Sequence, residues 1–250
     1  MVNKIISINH PTGRLWKAGF EATGFDLEYT IKEGELWKEI DGALLINTLL
    51  ELNGQKLDTD SDAEKTERVN CILNRDKPVG YNTAPESFRR TILEYIEIKN
   101  KNCVIIGAGK VARSIALSLD KEDGKITILN RDLSKAEKLA KEYNCEFGPM
   151  SKLADLNDID ILINATNCGL YPNVKECPVP EQLIKADLCF DVIVNPIETK
   201  FLKAAKANGC KVVEGYKMFG QQIIVQSELA FDKTPQAYKI YRALRELLKG

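Results

Sequence analysis

A single histidine, His10, serves all 250 residues. That scarcity excludes a histidine-based metal cluster, and any Ser-His-Asp arrangement would have to be built on His10 alone. No metal site is expected. Seven cysteines are present, but none stands in Cys-x-x-Cys: Cys71, Cys103, Cys145, Cys168, Cys177, Cys189 and Cys210 are scattered. An odd, dispersed set fits reduced thiols in a cytoplasmic protein, not a disulfide framework. Excess charge of either sign is also missing. The 35 basic and 36 acidic residues leave a formal net charge of −1, which offers nucleic acid or an anionic membrane surface no footprint. No apolar run approaches the roughly 20 residues that span a bilayer. The opening residues, Met1 to Ser7, have too short an apolar run for a signal peptide and read as a strand. There is no repeat and no low-complexity tract.

What is present is ordinary in amount, with 44% hydrophobic and 28% charged residues, as a packed globular chain of one large or two small domains requires. Its arrangement is informative. Residues 102–113 run Asn-Cys-Val-Ile-Ile-Gly-Ala-Gly-Lys-Val-Ala-Arg. The apolar run Cys103–Ile106 meets Gly107-Ala108-Gly109-Lys110-Val111-Ala112, and an amphipathic stretch to Leu119 follows. That order is strand, glycine turn, helix. Such a turn lets backbone N–H groups approach a pyrophosphate at the positive end of a helix dipole. A second apolar run, Lys125–Leu129, ends in Asn130-Arg131, about twenty residues on, where a ribose-reading position falls. An acidic residue there would accept from a ribose 2′-hydroxyl. Arg131 instead offers a planar fork suited to a phosphate, so NADP is favoured over NAD. Asp132 opposes a 2′-phosphate, and Lys135 offsets it. The plain alternatives are an ordinary strand–turn–helix connection and a solvated surface arginine.

The alternation around this turn predicts an α/β fold of two lobes. Residues 1–83 read as mixed α/β. Strands are expected at Lys4–Ile8, Asp26–Ile31, Ala43–Ile46 and Val69–Leu73, with helices at Leu15–Thr23 and Leu36–Ile40. The polar stretch Asn53–Glu64 reads as a loop. Thr83 and Glu86 form a capping-box pattern that opens a long helix to about Lys99. From residue 102, strands at 103–106, 125–129, 160–163, 188–192 and 211–213 are separated by helices, which implies a doubly wound parallel sheet. Met218–Phe231 and Pro235–Leu248 read as two closing helices. The expected domains are 1–83 with about 223–250, and 84–222.

Several segments together resemble the shikimate dehydrogenase family. Val69-Asn70-Cys71 is similar to that family's Val-Asn-Thr, and Gly80-Tyr81-Asn82-Thr83 to its Gly-Tyr-Asn-Thr-Asp. The glycine turn and Asn130-Arg131 are similar to its cofactor turn and NADP-reading dipeptide. Asn164-Ala165-Thr166 with Gly169, then Asp191, Pro196 and Thr199-x-Phe201-Leu202, follow its later motifs. So does Gly215-x-x-Met218-x-x-x-Gln222. The resemblance implies an N-terminal substrate lobe, a Rossmann-type NADP lobe and hydride transfer between NADP and a cyclic hydroxy acid or ketone, chemistry that belongs to aromatic amino acid biosynthesis. It implies substrate contacts at Asn70, Asn82 and Gln222. It implies cofactor contacts along Gly107–Ala112, at Asn130, Arg131 and Lys135, at Asn164, Ala165 and Thr166, and at Val192, Gly215 and Met218.

The substrate lobe departs from the pattern. Ala84 stands where the family has its catalytic Asp. Ala43–Glu51 occupies the place of a Val-Thr-x-Pro-x-Lys motif and has neither its Pro nor its Lys; Lys38 and Lys56 are out of register. His10-Pro11-Thr12-Gly13 replaces a pair of serines that grip the substrate carboxylate, and Val194 replaces a tyrosine. His10, with an ordinary pKa near 6.5, stands in that place as a replacement acid or base, and Glu86 and Lys56 are further candidates; a structural hydrogen bond is the plainer role for His10, and a helix cap for Glu86. The expectation is an NADP-dependent oxidoreductase with weak shikimate activity or a different hydroxy-acid substrate. The rival is a non-catalytic NADP-binding sensor or regulatory paralogue. Either would be cytoplasmic, a monomer or homodimer, with small-molecule partners only.

Overall fold

The computed structural model describes residues 3–8, 10–33, 43–52 and 57–249. The helix expected at Leu36–Ile40, and Lys38 and Lys56, lie outside these residues. The chain divides into two compact units, residues 1–87 with 220–250 and residues 88–219. Both divisions fall inside helices, Ala84–Leu93 and Gly215–Phe231.

The first unit is built on a six-stranded sheet. Its strands are β1 (Asn3–Ile8), β2 (Leu27–Lys32), β3 (Leu45–Glu51), β4 (Asp58–Thr59), β5 (Arg68–Asn74) and β6 (Pro78–Tyr81), in the order β2-β1-β3-β5-β6-β4. β1 pairs in parallel with β2 and β3, whereas β5 runs antiparallel to β3 and β6. β1 is buried from Ile5 to Ile8, as a central parallel strand with both faces covered must be. Helix α1 (Gly13–Glu21) buries Trp16, Gly19 and Phe20, the i, i+3, i+4 stripe of an amphipathic helix. β3 begins and ends later than the expected Ala43–Ile46, because its pairing with β5 resumes past an irregularity between Asn47 and Leu50.

The polar stretch 53–64 is not a plain loop where it is described. It contains β4 and the start of helix α2 (Ser61–Thr66). Asp60 caps that helix, its carboxylate accepting from the Ala63 N–H at 2.8 Å. Only Asp62, Ala63 and Thr66 are buried, so the outward side is polar and hides the helix from a hydrophobicity reading.

Helix α3 (Ala84–Leu93) is shorter than the expected run to Lys99. The Tyr95 and Ile96 N–H groups both return to the Ile92 carbonyl, and the chain then leaves the helix so that Ile98 buries to 1% exposure. Burial of one apolar side chain in the second unit outweighs continued helix.

That second unit carries a fully parallel sheet: β7 (Asn102–Ile106), β8 (Lys125–Leu129), β9 (Glu146–Gly148), β10 (Ile161–Asn164), β11 (Leu188–Asp191) and β12 (Lys211–Val213). The order is β12-β11-β10-β7-β8-β9. Strand β9 was not expected. Helices α4 (Lys110–Lys121), α5 (Leu133–Glu142) and α6 (Lys200–Ala207) connect the strands. Helices α7 (Gly215–Phe231) and α8 (Ala237–Lys249) follow. This is the doubly wound sheet that the alternation implies. Strands β7 and β10 are neighbours, and the order reverses between them. In such sheets ligands bind outside the carboxyl ends of the strands at that reversal.

Candidate active site

At the carboxyl end of β7 the chain turns at Gly107, whose φ of 113° lies in the region that favours glycine. The Gly107 N–H donates to the Leu129 carbonyl at 2.7 Å, which ties the turn to β8. A Cβ on Gly107 would lie 3.0 Å from the Ala165 carbonyl oxygen and 3.1 Å from the Thr166 methyl. Gly109 begins helix α4 with no side-chain cap, and nothing lies within 4 Å of where its Cβ would stand. The first turn of α4 therefore presents uncapped N–H groups, with Lys110 exposed, Val111 partly exposed and Ala112 fully buried. An uncapped helix start above a positive-φ glycine is a cradle for phosphate oxygens.

Beside it, β8 runs into Asn130 and Arg131. The Asn130 amide donates to the Asp132 carbonyl at 2.9 Å. Arg131 is exposed, with no ion pair among the described residues. Asp132 is occupied locally. It caps α5, accepting from the Ser134 and Lys135 N–H groups at 3.1 and 3.4 Å, and its carboxylate lies 3.7 Å from the Lys135 ammonium. The Ser134 hydroxyl bond, first among the causes, holds its pKa below the ordinary carboxylate value. The carboxylate beside Arg131 is thus turned toward a helix start and a lysine.

The ends of β10 and β11 complete this edge. Asn164 and Asp191 are register partners, both fully buried. The Asn164 side-chain oxygen accepts from the Thr166 N–H at 3.1 Å and hydroxyl at 2.7 Å, which fixes the Asn164-Ala165-Thr166 turn against Gly107. Asp191 accepts from the Thr199 hydroxyl at 2.5 Å and the Ile193 N–H at 3.0 Å. Burial pushes its pKa up to about 6 against the pull of these hydrogen bonds. The Val192 N–H donates to the Asn164 carbonyl at 3.1 Å. Gly215 opens α7 where a Cβ would lie 2.5 Å from the Ile193 carbonyl oxygen, so only glycine lets that helix start so close to β11. Met218 is buried one turn on.

The first unit holds a second polar cluster. Asn70, buried on β5, donates to the Thr83 hydroxyl at 3.0 Å and to the Gln222 side-chain oxygen at 3.3 Å, and accepts from the Thr83 N–H at 3.0 Å. Gln226 reaches the same hydroxyl at 3.3 Å and accepts from Asn47 at 2.5 Å; Tyr29 in turn donates to Asn47 at 2.8 Å. Asn70 and Gln222 are therefore brought together. Asn82 is committed elsewhere: its amide donates to the Thr66 hydroxyl at 2.7 Å and accepts from the Ala84 N–H at 3.1 Å, so it stabilises the start of α3. Asn47 and Gln226 were missed by sequence reasoning. Their one signal is an amide inside an apolar run, Leu-Leu-Ile-Asn and Ile-Ile-Val-Gln.

His10 is held on both nitrogens. Nε2 accepts from the Trp16 indole N–H at 3.3 Å, and Nδ1 lies 3.0 Å from the Thr12 hydroxyl. The Thr12 backbone N–H also points at Nδ1, at 3.2 Å, so both nitrogens face N–H donors while a neutral ring accepts at only one of them. Burial, then the nearby Arg68 charge, lowers its pKa to about 4. Such a ring stays neutral near pH 7, with N–H donors from Trp16 and Thr12 facing its nitrogens. Ala84 supplies no titratable group.

The comparisons with known proteins agree with this architecture. Residues 89–205 match the family described as shikimate/quinate 5-dehydrogenase. The NADP(+) shikimate dehydrogenase of Methanocaldococcus jannaschii is 37% identical over 224 residues, 85% of this chain and 78% of that protein. The corresponding protein of Clostridium perfringens (strain ATCC 13124) is 38% identical over 172 residues, and the match spans 67% of this chain and only 64% of the relative's length. A crystal structure of a shikimate dehydrogenase in complex with NADP+ superposes with a TM-score of 0.86 at 30% identity, covering 99% of this chain and 96% of that one.

Proposed function

The chain belongs to the shikimate dehydrogenase family, and from that premise we propose that it is an NADP-dependent oxidoreductase whose substrate unit has diverged from the family pattern. The observation that carries the cofactor assignment is the uncapped start of α4 at Gly109 above the positive-φ Gly107. The relatives named above are NADP(+) enzymes, and the donor set here fits that cofactor. When bound, NADP supplies or takes up the hydride. The turn from Gly107 to Ala112 holds the pyrophosphate through the N–H groups that follow Gly107, whose own N–H is spent on the Leu129 carbonyl. Arg131, with Asn130 and Lys135 beside it, holds the 2′-phosphate. Asn164, Ala165, Thr166, Val192, Gly215 and Met218 frame the rest of the cofactor. Asn70 and Gln222 hold the substrate, while Asn82 acts by fixing the helix start behind them.

The weak part is proton transfer. Reducing a ketone or oxidising an alcohol needs a group that moves the hydroxyl proton. Ala84 cannot, and His10 is neutral and engaged. The expected behaviour is NADPH binding with slow shikimate turnover, or turnover of a different hydroxy acid or ketone, in a cytoplasmic monomer or homodimer. The missing acid–base group also favours a second reading, an NADP-binding regulatory protein without catalysis; assays with shikimate and other hydroxy acids separate the two. The cofactor assignment is tested by titrating NADPH and NADH by fluorescence. A charge-assisted contact from Arg131 is worth about 1.5–3 kcal/mol, so Arg131→Ala should weaken NADPH by roughly tenfold or more and leave NADH unchanged. Equal affinities for the two cofactors defeat the assignment.

A further inference from the structure

Arg68 is a cation the fold has set apart. It opens β5, two residues before Asn70, so the two side chains leave the strand on the same side. Val69, between them, is buried in an apolar cluster with Ile6, Ile8 and Ala63. Arg68 is half-buried, and burial alone lowers its pKa. Other half-buried cations have carboxylate partners: Lys101 with Asp160 and Arg113 with Glu142 at 2.7 Å, and Lys217 with Glu214 at 3.2 Å. Among the described residues no carboxylate lies within ion-pairing distance of Arg68. Its register partner across the sheet, Glu51, is exposed and does not pair with it. Arg68 lies close enough to His10 for its charge to disfavour protonation of the ring.

A partly desolvated guanidinium with no anion has lost hydration without recovering it. A ligand carboxylate would recover it, because the planar fork matches two carboxylate oxygens. On the same side of β5 stands Asn70, whose amide bonds that of Gln222, and the ring of His10 is near enough to feel the Arg68 charge. Amides suit hydroxyl or ketone oxygens, and Arg68 supplies the cationic fork for an anion. We propose that Arg68 recognises the substrate's carboxylate, and that the substrate is therefore a hydroxy or keto acid and not a neutral polyol. This rests on the reading that Asn70 and Gln222 line the substrate site.

The test is a calorimetric titration of shikimate and of its methyl ester against the NADP-saturated protein. Wild type should bind the acid at least tenfold more tightly than the ester. Arg68→Gln should bring the ratio to near one without weakening the ester, and Arg68→Lys should restore part of it. Unchanged ester binding also shows that the variant is folded. A wild type that does not distinguish acid from ester, an Arg68→Gln that still does, or a protein that binds neither while retaining NADPH overturns the proposal. Loss of NADPH binding by the wild type is a separate result, which defeats the oxidoreductase reading itself.

Discussion

The Asn164 side-chain amide donates to both carboxylate oxygens of Asp191, at 3.2 Å each, across neighbouring parallel strands. Asn164 carries that restraint on to Thr166, and Asp191 carries it on to Thr199, whose hydroxyl also caps α6 by accepting from the Leu202 N–H at 3.3 Å. One buried carboxylate thus organises two turns at the carboxyl edge of the sheet.

Asp191 gives a stability prediction with a definite sign. Its folded pKa is raised from 3.8 to about 6 by burial. Between those values the folded state binds more protons than the unfolded state. The contribution is therefore fully present below pH 4 and is lost as pH rises through 6. Asp191→Asn removes this titration and sets a second amide against the donors of Asn164 and Thr199, costing about 1–3 kcal/mol. Melting temperatures of parent and variant from pH 4 to pH 7 should differ most at the acidic end. A constant difference across that range contradicts the shifted pKa.

His10 should behave in the opposite sense. Its folded pKa is depressed from 6.5 to about 4. Its contribution is present above pH 6.5 and is lost as pH falls through 4. Because His10 is the only histidine in the chain, its ring resonances are unambiguous in a proton NMR titration. A midpoint near 4 is expected, and a midpoint near 6.5 would show that burial and the Arg68 charge do not hold the ring neutral.

The two turn glycines should part company on substitution. Gly109→Val has open space around its Cβ and a φ of −89°, so the protein should fold normally and lose NADPH binding through blocked access to the helix start. Gly107→Val must also adopt a φ of 113° against the Ala165 carbonyl, so it should lower the melting temperature as well. NADPH titration with thermal melts reads both. A Gly109→Val protein that binds NADPH like the parent places the cofactor elsewhere.

Shikimate oxidation should be slow. A positioned acid–base group typically supplies about 10²–10⁴-fold in rate, and Ala84 and the engaged His10 supply none. Steady-state assays with shikimate and NADP at neutral and alkaline pH should give a catalytic efficiency below the usual range of about 10⁴–10⁸ M⁻¹s⁻¹. An efficiency inside that range refutes the argument and points to a base outside the positions considered.

Much of the second unit was legible from residues 102–213, because its signals are local. Each buried parallel strand is a short apolar run, the turn needs glycine at Gly107, and Thr199 and Gly209 bracket α6 by ordinary capping chemistry. The Asn130-Arg131 dipeptide needed only its distance from the turn. The first unit was less legible. Its α2 helix carries few apolar residues, and its boundary with the second unit falls inside α3, which ends before the buried Ile98.

The sequence by itself determined the α/β class, the glycine turn after β7 and the family, and it carried the expectation that the usual Lys and Asp are replaced, since these depend on residue type and near-neighbour spacing. Tertiary structure decided what the remaining polar groups do. Asn47 meets Gln226 across 179 positions of sequence, Asn82 is spent on a helix start, and the Trp16 indole N–H faces the His10 ring. Asp191 and Arg68 acquire altered proton affinities only by burial. Hydrogen-bond partners and desolvation are properties of three-dimensional neighbours, and no local period in the chain encodes them.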